Sequence, residues 1–363
     1  MSGPSERPET TAPRDPSCFS GTRRNLFDVT VLSSSPSSAN ATARCSGLPR
    51  PPRRGPGTRT TRSGVLLLVL AVTLTAFGVG CSDRAETTAE ADGSEPAGIN
   101  KEVTMPIEAV TTTVVDPGAA PRSPLRRTLE TGATQQVTLR TDHHIEQQIN
   151  QQALRDISPP SVTIPLTAQS GSDGVELTVG NVTSPDPTLA KALLPADGSR
   201  VGFDVSDLGA ITAMKLAPQP ATSDSARAAL EQAFYQAVYQ SIAFPSDDVG
   251  VGAVWTVRQQ VSGSVPLEQV TTCTLTSREG NQLTIELNVV QTPKSTVWHL
   301  PNEAGQLEIV DYLMHGTGTI AVDLGLPLPV SGKVEVGGNQ TYRDPRSSVT
   351  LRQTLRTEVQ WGA

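Results

Sequence analysis

The sequence predicts a mainly β fold: a large curved antiparallel sheet covered by one long helix and one short one. Three observations carry that expectation. From Val103 onward apolar and polar residues alternate at period two, with Gly, Pro, Asp and Asn punctuating the runs. The runs are long and one-sided, which suits strands with one face in a core and the other in water. One stretch alone departs strongly to helical spacing, and its apolar stripe needs a sheet to cover.

The elements before that region read differently. Residues 1–63 hold ten Arg, four acidic residues and no Lys among many Pro, Ser and Thr. Such a composition cannot bury enough apolar surface to offset the ordering of the chain. It is expected to be a disordered leader or the product of a start codon placed too far upstream; Cys18 and Cys45 go with it. Residues 64–80 read as the apolar segment of an export signal, behind Arg53, Arg54, Arg59 and Arg62. Its 16 apolar-run residues, Val65 to Gly80, reach roughly 24 Å as a helix, short of the hydrocarbon thickness of about 30 Å.

The segment ends in Val79, Gly80 and Cys81, which resembles the lipobox of bacterial lipoproteins, with Gly78 where Leu is usual. The resemblance implies diacylglycerol on Cys81 and a protein held at the outer face of the cell membrane by a lipid anchor. Gly78-Val79-Gly80 also fits ordinary signal peptidase, so a cleaved secreted protein and a retained tilted anchor remain open. Residues 81–102, with Glu86, Glu90, Asp92 and Glu95 among Ala, Thr, Gly and Ser, read as an acidic tether.

Cleavage before Cys81 would leave 283 residues carrying 19 basic and 32 acidic groups, a net of −13. That length suffices for a proper core. That charge argues against nucleic-acid partners and against docking on anionic headgroups. Only Cys81 and Cys273 would remain, and with Cys81 committed to lipid no internal disulfide is available. Cys273 alternates with Leu267 and Leu275, as a small buried hydrophobe does.

Within residues 103–362 the clearest strand is the last. Val349, Leu351, Leu355, Val359 and Trp361 share one face; Thr350, Arg352, Thr354, Arg356, Glu358 and Gln360 share the other. Val137, Leu139 and Ile145 repeat the pattern, as do Val201, Phe203 and Val205. The long helix is capped by Ser223 or Asp224, carries Leu230, Phe234, Ala237, Val238 and Ile242, and is stopped by Pro245. Pro187 to Leu194 predicts the short one.

Three pairs of peptides recur in order on either side of the long helix: Gly132-Ala133 with Gly252-Ala253, Gly174 before Leu177-Thr178-Val179 with Gly280 before Leu283-Thr284-Ile285, and Asp207-Leu208-Gly209 with Asp323-Leu324-Gly325. They are compatible with a duplicated β-subdomain, pseudo-repeats 124–220 and 250–338, and also with the chance recurrence of turn peptides.

Pro121-Arg122-x-x-Leu125-Arg126, Phe244-Pro245 leading into Val249-Gly250-Val251-Gly252-Ala253-x-Trp255, and Gly316-Thr317-Gly318 before Asp323-Leu324-Gly325 resemble an uncharacterised family of actinobacterial envelope lipoproteins. The layout is remotely similar to lipid carriers of the LolA/LolB and mycobacterial lipoprotein type. That likeness implies a curved sheet with helices on its concave side and an apolar cavity for acyl chains.

No reaction is legible. His143 and His144 point to opposite faces of one strand, His299 and His315 stand apart, and no metal site is expected. There is no Gly-x-Ser-x-Gly elbow. Ser170-Gly171-Ser172-Asp173-Gly174 precedes a strand, so it reads as a hairpin turn rather than a phosphate loop, and Asp247-Asp248 lie beside Pro245 in a turn. Trp255 and Trp298 are the ligand-binding candidates, as rigid walls of an apolar cavity, with Phe203, Met214 and Leu216 behind them. The expectation is a non-enzymatic lipoprotein, without cofactor, that binds or carries a lipid. The alternative is a structural or interaction module with a solid core and an envelope protein as partner.

Overall fold

The computed structural model describes residues 102–171, 174–263, 265–300 and 305–362. All belong to the second of the two units, 1–68 and 69–363, into which the chain divides. The leader, the apolar segment, Cys81 and the tether up to residue 101 lie outside the described residues.

Two short strands come first, β1 (Val103–Pro106) and β2 (Thr111–Asp116). A first meander follows in β3 (Thr134–Ile149), β4 (Arg155–Asp156), β5 (Val162–Ser170), β6 (Gly174–Val179), β7 (Arg200–Val205) and β8 (Ile211–Ala217). A second is built from β9 (Val254–Val261), β10 (Leu267–Glu279), β11 (Gln282–Pro293), β12 (Val297–His299), β13 (Gln306–Asp323), β14 (Ser331–Arg343) and β15 (Thr350–Gly362). The short β4 and β12 flank β3 and β13; the rest form one antiparallel path, β1-β8-β7-β6-β5-β3-β15-β14-β13-β11-β10-β9-β2. The ladder between β15 and β3 joins the two meanders, from Leu351 opposite Ile149 to Gly362 opposite Thr138.

This connectivity forces the sheet to curl. Laid flat at about 4.8 Å per strand, the ends of a thirteen-strand path would be roughly 58 Å apart. The end strands β1 and β2 are joined by residues 107–110 alone, a link that spans at most about 19 Å. Ile107 on this link is buried in the core, and its N–H bonds Thr212 O at 2.9 Å.

Registers define what the concave face presents. One row across it reads Leu139, Trp361, Gly332, Ile320, Ile285 and Leu275. The next reads Thr141, Val359, Val334, Gly318, Leu287, Cys273 and Trp255. Large residues on β14 and β15 thus face glycines on their neighbours, which lets the backbones crowd together on the inside of the curve. At Gly338 the approach is closest: a Cβ there would stand 1.7 Å from Leu313 O.

The short helix, α1 (Pro187–Leu193), begins at Asp186, whose carboxylate accepts the Leu189 N–H at 2.7 Å, and ends in a 3-10 turn through Ala196. The long helix, α2 (Asp224–Tyr239), is capped by Ser223. It buries Leu230, Phe234, Ala237 and Val238 against the first meander, Val359 and Trp361. It stops at Tyr239, short of Pro245, and Ile242 is buried beyond its end. The reason is that side chains take its last carbonyls: Gln259 and Gln269 amides donate to Tyr239 O at 3.2 and 2.8 Å, and Ser241 Oγ to Val238 O at 2.7 Å. The second meander has its own core, which includes Trp255, Cys273 and Ile285 and is plugged by Leu125 and Phe244.

The three recurring peptide pairs fall at matching junctions: before β3 and β9, at the turns into β6 and β11, and in the β7–β8 and β13–β14 turns. Turn chemistry alone accounts for part of this, since Gly132 and Gly252 share positive φ values of 87° and 85°. One detail of the last strand differs from expectation: Val349 is exposed outside β15, and Gln353 stands buried on its apolar face.

Gly338→Ala should lower unfolding free energy by about 1–3 kcal/mol or more, because backbone must move to admit one methyl. Urea unfolding reads this directly; a change below about 0.5 kcal/mol would show that the strands are not crowded there.

Candidate functional site

The concave face is where the described residues bring buried polar groups together. Trp255 lies on it in β9, fully buried, with its indole N–H donating to Ala243 O at 3.0 Å. That bond ties β9 to the stretch leaving α2. Trp298, on β12, is also buried, but it packs 4.9 Å from the Tyr342 ring in a separate small cluster with Leu351, and its indole N–H has no acceptor. Phe203, Met214 and Leu216 belong to the first-meander core. The five aromatic and apolar candidates are therefore spread over three clusters and do not wall one cavity. Cys81 lies outside the described residues.

A cavity of about 30 Å³ sits between the end of α2 and both meanders. Val205 and Ile211 from one side, Ile320, Val322 and Trp361 from the other, and Ala237, Ser241 and Ile242 from the helix end line it; of the candidates only Phe203 reaches it. Arg127 is its charged member. It comes from the segment that crosses the end of the second meander, pinned by Thr128 N–H to Leu324 O at 2.8 Å and by the Arg278 guanidinium on Ser123 O and Pro124 O. Arg127 Nη1 donates to Leu326 O at 3.0 Å and Pro327 O at 2.7 Å, whereas its Nε is buried without an acceptor. Burial pulls its pKa down to about 10.

A second polar feature is a belt of glutamines. Gln147, Gln353 and Gln340 are successive partners across β3, β15 and β14; Gln291, Gln269 and Gln259 are successive partners across β11, β10 and β9. Gln291 Nε2 donates to Gln269 Oε1 at 2.8 Å, and the Tyr342 hydroxyl donates to Gln340 Oε1 at 2.6 Å. Gln353, only 2 % exposed, has neither amide atom paired. The signal lay in the phase of these residues, since Gln147 shares parity with Ile145 and Ile149, and Gln353 with Leu351 and Leu355. Arg127, one of two adjacent arginines, carried no signal at all.

The histidines behave as their strand phase requires. His143 faces inward, where its Nδ1 lies 2.7 Å from Thr357 Oγ1 and burial lowers its pKa to about 4. His144 faces outward, with Nδ1 2.9 Å from Ser158 Oγ and Nε2 3.7 Å from Glu146. A Ser-His-carboxylate array is thus present, but its protons run the wrong way for nucleophilic catalysis. Ser158 Oγ donates to Asp156 Oδ1 at 2.5 Å and accepts from Ile145 N–H at 2.8 Å, so His144 meets it as a donor rather than as a base. The Ser158 hydroxyl, and the Ser158 N–H 2.9 Å from the same oxygen, hold the Asp156 carboxyl below its ordinary value. Cys273 is buried, and burial pushes its thiol well up, the opposite of an activated thiolate.

Comparison with protein-family models, with curated proteins and with solved structures gives no match. Among the described residues no helix is long and apolar enough to cross a membrane.

Two measurements test this geometry. Trp255→Phe should cost at least about 1 kcal/mol more than Trp298→Phe, because only the first strands a buried carbonyl while the volume lost is equal; equal costs would contradict the bonding pattern. The folded protein keeps His143 neutral down to about pH 4, whereas the unfolded chain protonates it near 6.5. Its contribution is thus complete above about pH 6.5 and is lost as pH falls toward 4, by about 2–3 kcal/mol. His143→Gln should flatten that slope in urea titrations at stepped pH; an unchanged slope would place the effect elsewhere.

Proposed function

We propose that the protein is a non-catalytic module of the cell envelope, held at the membrane by lipid on Cys81, that works through its surface around a solid core. The observation that carries this reading is the filling of the concave face. Helix α2 lies in it, Trp255 and Trp298 are packed into separate clusters, and the cavity beside the helix holds about 30 Å³. That admits one or a few waters, against the roughly 300–1,000 Å³ of pockets that enclose drug-sized ligands. The acidic balance of the exported part suits a protein partner in the envelope better than nucleic acid or anionic lipid.

A second reading, the carrier of an apolar ligand, draws on the apolar lining of that same cavity. It requires α2 to leave a face in which Leu230 and Phe234 are fully buried.

Cross-linking in cells, paired with native mass spectrometry of the protein extracted with its own membrane lipids, separates the two. The module predicts a discrete protein adduct and a mass without bound lipid. Stoichiometric lipid with no adduct would overturn it in favour of the carrier. Feeding a labelled fatty acid should label the protein and leave Cys81→Ala unlabelled; label retained in Cys81→Ala would refute the anchor.

A further inference from the structure

Arg127 is partly buried, and among the described residues it has no counter-ion. Its guanidinium sits beside Gly209 and the Phe244 ring, where a Cβ added at Gly209 would meet Nε at 3.2 Å and Phe244 at 3.3 Å. The two carbonyls it touches, Leu326 O and Pro327 O, are both held by Nη1. They satisfy donors but carry no net charge. Nε is buried and unpartnered, and among the described residues no carboxylate lies within ion-pair distance of this side chain. The edge formed by Nε and Nη2 is the one that a carboxylate grips with two oxygens, and Nε, its buried member, has no acceptor among the described residues.

The cavity that Arg127 lines has otherwise apolar walls apart from Ser241, and no Asp or Glu is among them. Ser241 Oγ spends its proton on Val238 O. The C-terminal turn of α2 does bring partial negative charge toward the site. Its carbonyls at Val238 and Tyr239, however, are already engaged by Ser241, Gln259 and Gln269. A full positive charge in such surroundings is stabilised most by an anion of matching size, and about 30 Å³ suits a group of one to a few heavy atoms.

The geometry points to a binding site for a small monovalent anion, a halide or a carboxylate group, seated on the Nε–Nη2 edge of Arg127 with Trp361 in its wall. The carboxylate is that of a free small acid, since about 30 Å³ has no room for an acyl chain.

Because Trp361 lines the cavity, a heavy halide there quenches its fluorescence. The full protein is titrated with iodide at constant ionic strength, and thermal unfolding is followed in acetate and in octanoate. The expected result is a saturable quenching component, displaced by acetate and absent in Trp361→Phe. In Arg127→Met that component is lost, and in Arg127→Lys, which keeps the charge without the fork, affinity falls at least about tenfold. Acetate should stabilise the protein at least as strongly as octanoate, and only with Arg127 present; octanoate binding at least tenfold tighter than acetate overturns a site of this size. Quenching that stays linear in iodide with no stabilisation by acetate or octanoate overturns the site, leaving water in the cavity. If Arg127→Met does not fold, the wild-type and Trp361→Phe titrations decide the matter on their own.

Discussion

The ladder between β15 and β3 is the interaction on which the rest of the structure depends. The residues it pairs lie some two hundred positions apart in the chain, and among the described residues it is the one strand ladder between the two meanders. Through it Val359 and Trp361 from the last strand enter the core that α2 covers. The four-residue link from β1 to β2 then closes the account from the other side, since it can be satisfied only by a sheet that has curled. Closing contacts so distant in sequence is entropically demanding before any apolar burial rewards it.

Curling brings the inner faces together, and the composition of those faces is adapted to the crowding. Glycines on β13 and β14 stand opposite valines, leucine and Trp361. The helix packs against these faces, and its end is held by amide side chains rather than by a glycine or proline cap. The outer face carries its charges in a shared network, in which Lys333 and Arg356 lie between Glu335, Glu358 and Asp142. Exposed pairs of this kind contribute little to stability one by one. The polar groups that matter energetically are inside: His143, the glutamine belt and Arg127.

Much of the fold was legible because long strands with one wet face write their period directly into the chain. The alternation around Leu139 and Ile145, and from Leu351 to Trp361, named the inner face of β3 and β15 before any partner was known. The partners themselves were not legible, since a period of two fixes which way a side chain points and not which strand lies beside it. Helix α2 was found from its stripe, but its end was missed because the residues that terminate it, Gln259 and Gln269, come from strands twenty and thirty positions further on. The candidate site was read less well. Trp255 and Trp298 stand out in the sequence as scarce large rings, and both are core. Gln353 was assigned to neither face, and Arg127 looked like any surface arginine. Burial of a polar residue is a property of the assembled sheet, and composition does not announce it.

Two meanders joined by one long-range ladder should unfold as a single unit. Native-state hydrogen exchange across a urea series measures this for each strand. Amides of β3, β5 and β6 should share one exchange free energy and one urea slope with those of β13, β14 and β15, both equal to the global values. A first meander that exchanges with its own smaller free energy and shallower slope, while β13–β15 stay protected, would contradict the account.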